Sequence, residues 1–207
     1  MKRNRAVLCT LYFLSFVGLS AQAVKLDVPF FTQGKDAPWA DEKLGNKSEL
    51  TIRSHGCALT CISMVVSHFS EDPRTPADMN RWLKSNNGFE DAWEGSAYLG
   101  EVSMNWPALS RYAGGYVYTR FDWHVQPADL LLIKYYLSQD IPVITEVKYR
   151  NAPHYIVLTG YIDGEFLMND PEHPDQNTFS DVYNIDDEWG SGPSRNIYGI
   201  RVIYPAD

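Results

Sequence analysis

The chain has 207 residues, 44% hydrophobic, 21% charged and 14% aromatic, with 26 acidic against 18 basic residues and a formal net charge of −8. That length and apolar content suit one globular domain with a substantial core, and the aromatic content excludes a disordered chain. The acidic balance argues against nucleic acid as a partner.

The first residues read as a targeting segment. Lys2, Arg3 and Arg5 make a basic start, residues 6–19 an apolar run, and Ala21-Gln22-Ala23 a small-x-small cleavage site. Residues 1–23 are therefore expected to be a secretory signal peptide, with residues 24–207 as the working domain. The apolar run is short for a membrane span and no later stretch is longer, so the mature protein is expected to be exported, periplasmic or secreted, without stable membrane insertion. Loss of the three basic residues would take the formal charge from −8 to −11.

Residues 24–32 alternate loosely around Pro29 and read as an edge strand or extended arm, with Gln33 at its end. Residues 34–53 read as a long polar loop. Ser54-His55-Gly56 leads into a helix over 57–69, with apolar residues at 58, 59, 62, 65, 66 and 69 and Ser54 as its expected N-cap. Thr75-Pro76-Ala77-Asp78 opens a second helix, closed by Asn86-Asn87-Gly88. Residues 89–103 read as irregular, with Gly95 and Gly100, and Asn105-Trp106-Pro107 starts a short third helix before Gly114-Gly115. A strand at 116–121 and a helix from Gln126-Pro127-Ala128-Asp129 to about Ser138 follow. Residues 142–149, 154–162 and 165–169 read as strands, the last two joined by the hairpin signal Asp163-Gly164. A long acidic loop, 171–194, precedes a final strand at 197–204. Helices dominate the first half and strands the second, which predicts an α+β domain with helices packed on an antiparallel sheet.

The chemistry centres on Cys57. In the first turn of a helix, unpaired N–H groups and the helix dipole favour a thiolate. Cys61 lies one turn on; the Cβ separation of such a pair, about 5–6 Å, exceeds what a disulfide wants, so both are expected to be free thiols, with Cys61 in the core. A cysteine nucleophile needs a base, a group that orients it, and oxyanion donors. Of the five histidines, His55 diverges at the turn, and His68 lies about 16 Å along the helix. His124 and His173 sit in loops and stay open as alternatives. His154 is the best placed, because a sheet can hold it rigidly against a helix end. Both Asn169 and Asp170 can orient it. A regular two-residue hairpin pairs Leu158 with Asn169 and puts Asn169 on the face of His154; a bulge would select Asp170 instead. The Cys57 N–H and the Gln33 amide are candidate oxyanion donors. His173, Asp175, Asp181, Asp186, Asp187 and Glu188 lack the spacing of an EF-hand, and a solvated acidic loop is the commoner outcome. No cofactor or metal is expected.

In order, Val28-Pro29-Phe30-Phe31-Thr32-Gln33, Gly56-Cys57-Ala58-Leu59-Thr60, the segments at 76–83 and 105–107, His154-Tyr155-Ile156-Val157-Leu158-Thr159-Gly160-Tyr161 and Asn169-Asp170-Pro171 resemble the papain-like cysteine peptidases, and more closely their C39-like branch, the bacteriocin-processing peptidase and its relatives. The resemblance covers most of residues 26–171. It implies a papain-like fold, Cys57 as nucleophile, His154 as general base and acid, Asp170 rather than Asn169 as orienting group, Gln33 as oxyanion donor, and a peptide or protein substrate. The bacteriocin enzymes carry this domain on a membrane transporter, whereas neither membrane spans nor an ATPase is read in these residues, so their leader-peptide substrate is not expected to transfer. A papain-like module that binds peptide or cell-wall material without cutting it is the alternative.

Overall fold

A computed structural model describes residues 23–149, 152–183 and 193–206. Residues 1–22 of the expected signal peptide, and Asp186, Asp187 and Glu188 of the acidic loop, lie outside the described residues.

In chain order the elements are β1 (Val24–Lys25), α1 (Ile52–His55), α2 (Cys57–His68), α3 (Pro76–Ser85), β2 (Phe89–Glu94), β3 (Ala97–Met104), a 3-10 helix (Trp106–Arg111), β4 (Tyr116–Asp122), α4 (Leu130–Ser138), β5 (Val143–Tyr149), β6 (Ala152–Ile162), β7 (Glu165–Asn169), α5 (Ser180–Tyr183), α6 (Pro193–Asn196) and β8 (Ile197–Pro205). Six strands form one sheet in the order β1-β6-β5-β8-β4, with β7 also paired to β6, and every pairing is antiparallel. This is the α+β arrangement expected from the element order.

The sheet is covered on both faces. Along β6, Val157 turns to one side and Ile156 and Leu158 to the other, the two-residue period of a strand. On the first face α2 packs against Ile144, Val157 and Ile203. The far side of α2 meets Met79 and Leu83 of α3, and Leu44 and Ile52, so all of its residues from Leu59 to Ser67 are buried. A helix apolar nearly all round belongs at the centre of a fold. On the second face Ile133 and Leu137 of α4 meet Val143, Val147, Ile156 and Leu158. Among the described residues no helix is long and apolar enough to cross a membrane.

The caps of α3 are those expected: Thr75 and Asp78 form a capping box, with Pro76 in the first turn. Three expectations need correction. Residues 89–103 are not irregular but the main part of a two-stranded hairpin, β2–β3. Two register shifts broke the alternation that would have revealed it, and Gly95-Ser96 is its two-residue turn. Ser54 does not cap α2. It is the third residue of the short helix α1, where it forms a capping box with Thr51, and Gly56 stands at the start of α2 without a side-chain cap. The loop 171–194 is not structureless, since it contains α5.

Candidate active site

Cys57 is placed by a tight junction between two helices. The Gly56 N–H donates to the Ile52 carbonyl at 2.7 Å, closing α1, and the Gly56 carbonyl accepts from Thr60 N–H at 2.8 Å, opening α2. A Cβ at position 56 would lie 2.4 Å from the Ile52 oxygen and 2.8 Å from its Cα, so only glycine allows the two helices to abut. Cys57 is thereby the first residue of α2, partly buried, with its N–H lacking an intrahelical acceptor. Cys57 and Cys61 are both free thiols, as their spacing requires. Burial, reinforced by the charges of Cys57 and Asp170, pushes the Cys61 thiol well up, so it stays protonated.

His154 is the third residue of β6 and 5% exposed. Asp170, the residue after β7, is 0% exposed. The hairpin between them turns on Asp163 and Gly164, both at positive φ (51° and 91°), and pairs Ile162 with Glu165. The register slips by one residue at Thr159: Gly160 faces Leu167, but Leu158 faces Met168 and Val157 faces Asn169. That bulge decides the question left open by spacing. Asn169 falls on the opposite face and donates to the Val28 carbonyl at 3.1 Å. Asp170 falls on the face of His154, and His154 Nε2 donates to Asp170 Oδ1 at 2.8 Å.

The Asp170 carboxylate is saturated. Oδ1 also accepts the Glu172 N–H at 2.9 Å, and Oδ2 accepts from His173 Nδ1 at 2.8 Å and the Tyr183 hydroxyl at 2.5 Å. Two oxygens offer about four lone-pair sites, and among the described residues all four are used. Burial opposes its charge, but these bonds and the charge of His154 outweigh it and hold Asp170 at about 2. An ionised carboxylate only accepts, which fixes a proton on His154 Nε2 and leaves Nδ1 as the nitrogen for proton transfer. Cys57 lies close enough to the imidazole for its charge to bear on His154. Burial opposes the imidazolium, but the bonds and charges of Asp170 and Cys57 prevail and raise His154 to about 10. The surroundings of His154 thus stabilise an imidazolium.

Gln33 reaches this group along the extended arm after β1. Leu26 N–H donates to the Thr159 carbonyl at 2.8 Å, and Gln33 N–H to the Pro171 carbonyl at 3.1 Å. The buried Gln33 amide nitrogen donates to the Arg53 carbonyl at 3.0 Å and to Glu172 Oε1 at 3.4 Å. Its Oε1 is buried without a partner among the described residues. The turn 170–172 therefore ties Gln33 and His154 to one short segment.

The remaining histidines are elsewhere occupied. His55 Nδ1 contacts Ser54 Oγ at 2.9 Å, and His68 bridges the carbonyls of Asp27 and Asp140 at 3.2 and 3.1 Å. His173 supports Asp170 and meets the Tyr149 hydroxyl through Nε2 at 3.1 Å. Sequence reasoning weighed His173 as a base or ligand, not as this support, and missed Tyr183 altogether. A buried aromatic in an otherwise acidic loop was its one signal. Asp122, His124 and Glu146 bring ligand-type atoms within 4.8 Å of one another. Both carboxylates are already paired with Arg201, and Asp122 also with Arg120, so the set is poorly suited to a metal.

A family model described as Peptidase_C39 like family matches residues 25–191. Among solved structures, a Bacillus anthracis protein assigned as a C39-like peptidase is similar in fold, at a TM-score of 0.50 and 12% identity over 90% of this chain and 100% of that one. No curated protein matches the sequence.

Proposed function

This chain belongs to the Peptidase_C39-like family, and we propose from that premise that it is an exported cysteine peptidase that cleaves a peptide or related amide bond through Cys57, His154 and Asp170. The thiol of Cys57 at the start of α2, close to a His154 imidazole that the saturated Asp170 carboxylate holds, supports the reading. The thiolate attacks the carbonyl carbon of the scissile amide. The oxyanion takes the Cys57 N–H and the Gln33 N–H now on the longer bond to Glu172. His154 gives its Nδ1 proton to the leaving amine, and a thioester to Cys57 remains. Water, deprotonated by the same nitrogen, attacks the thioester; the acid leaves and the thiolate–imidazolium pair is restored.

A peptidyl electrophile followed by mass mapping tests this. Labelling is expected at Cys57 and not at Cys61, and about 10²-fold slower in His154→Ala. No labelling at Cys57, or an unchanged rate in His154→Ala, overturns it. Export is tested by the N-terminus of the protein recovered outside the cytoplasm, expected at Val24; a product retaining residues 1–23 counts against it.

One observation favours the second reading, a module that binds peptide or cell-wall material without cutting it: both N–H groups of the Gln33 amide are engaged. Full biological effect in Cys57→Ala would select that reading.

A further inference from the structure

The first turn of α2, the β2–β3 hairpin and the 3-10 helix enclose a cleft of about 390 Å³ beside Cys57. Part of its wall is apolar: Leu59 from α2, Phe89, Val102 and Met104 from the hairpin, and Trp106. Glu90, Arg120, Glu146, Tyr155 and Arg201 also line it, as does His55, which is bonded to Ser54.

The cations of this set are already answered. Arg201, 2% exposed, donates Nη2 to Glu146 Oε2 at 2.7 Å and pairs through Nη1 with Asp122 Oδ1 at 3.1 Å. Arg120 Nε donates to Asp122 Oδ2 at 2.6 Å. The anions are not. Glu146 uses Oε2 for both Arg201 and the Tyr155 hydroxyl, leaving Oε1 without a partner among the described residues. The Glu90 carboxylate has no hydrogen-bond or ion-pair partner among the described residues, its backbone being paired to Ser103. The cleft itself is lined by two guanidiniums and two carboxylates; because Asp122 behind them also answers both arginines, the charge of Glu90 is left unbalanced, and the chain's net charge of −8 acts in the same direction.

We propose that this cleft binds the side chain of a lysine or arginine in the substrate, its aliphatic stem along Phe89, Met104 and Trp106 and its charged head between Glu90 and Glu146. The proposal rests on the peptidase reading of Cys57 and names the substrate class of that site. Long basic side chains lay their methylenes on apolar surface and keep the head among polar groups, and the ring of Trp106 adds attraction for a cation.

An internally quenched positional-scanning peptide library, read by kcat/KM, tests it. Lysine or arginine should be preferred over norleucine at one position by about tenfold, and the preference should shrink with added salt. Glu90→Gln should cut the ratio to about threefold, and Glu90→Lys should turn it toward glutamate. The same peptides titrated into the Cys57→Ala protein read binding without chemistry. A basic preference in binding with no hydrolysis by the native protein keeps this cleft and overturns the peptidase reading. Hydrolysis without a basic preference, a preference that Glu90→Lys leaves untouched, or no binding of any peptide overturns the cleft assignment.

Discussion

At the scale of single residues, charge is what the candidate site arranges. His154 is raised to about 10, so the stabilisation from its charge is complete below the ordinary value of 6.5 and is lost as pH rises through about 10. Asp170 is lowered to about 2, so its contribution is complete above 3.8 and is lost as pH falls through about 2. Stability to heat should therefore be flat in this respect from about pH 4 to about pH 6.5 and fall off beyond each end. Asp170→Asn removes the charge that opposes burial of the imidazolium and frees the tautomer. The alkaline limb of kcat/KM is expected to move to lower pH, with kcat reduced about 10²-fold; a pH–rate profile checks it, and an unmoved limb would show that Asp170 does not set the protonation of His154. Cys57 and His154 were legible from residue type and order, because few positions can offer a thiol at a helix start and an imidazole on a strand. Tyr183 and His173 were not, because they act only through Asp170, from a loop whose path no local pattern specifies.

At the scale of elements, two backbone irregularities place the site. Gly56 lets α1 and α2 meet with a Cβ-sized gap closed by the Ile52 carbonyl. Gly56→Ala must force the helices apart, and a loss of about 2–3 kcal/mol in urea denaturation is expected, together with slower electrophile labelling of Cys57. Normal labelling at normal stability would mean that the junction does not position the thiol. The bulge at Thr159 is the second irregularity. The Asp163-Gly164 turn and the Ile162–Glu165 pairing were readable from the sequence, and a regular hairpin would then have presented Asn169. One extra residue in β6 reversed that choice. The same kind of register shift hid the β2–β3 hairpin, since a bulge interrupts the only signal a short strand carries.

At the scale of the whole molecule, α2 is both the carrier of Cys57 and the centre of the larger core. Ile62, fully buried within it, packs in the cluster that joins the sheet, α3 and the loop around Leu44. Ile62→Ala is expected to cost about 2–4 kcal/mol in denaturant unfolding without abolishing labelling of Cys57, because the cavity lies inside the core and the junction at Gly56 is intact. A labelling rate that collapses with full stability would place Ile62 in the site rather than beneath it. The sheet holds the opposite half. Its first face receives α2, and the turn after β7 carries Asp170 and Glu172 to both His154 and Gln33.

What the amino-acid sequence determined by itself is the class of the fold and, as candidates in order, Gln33, Cys57 and His154, because hydrophobic period, caps and turn residues are local properties. Which carboxylate or amide meets the imidazole, what saturates that carboxylate, and which charges line the cleft beside Cys57 were decided only by the tertiary structure. Each depends on a strand register or a loop path, and those are set by long-range packing that no short window of sequence contains.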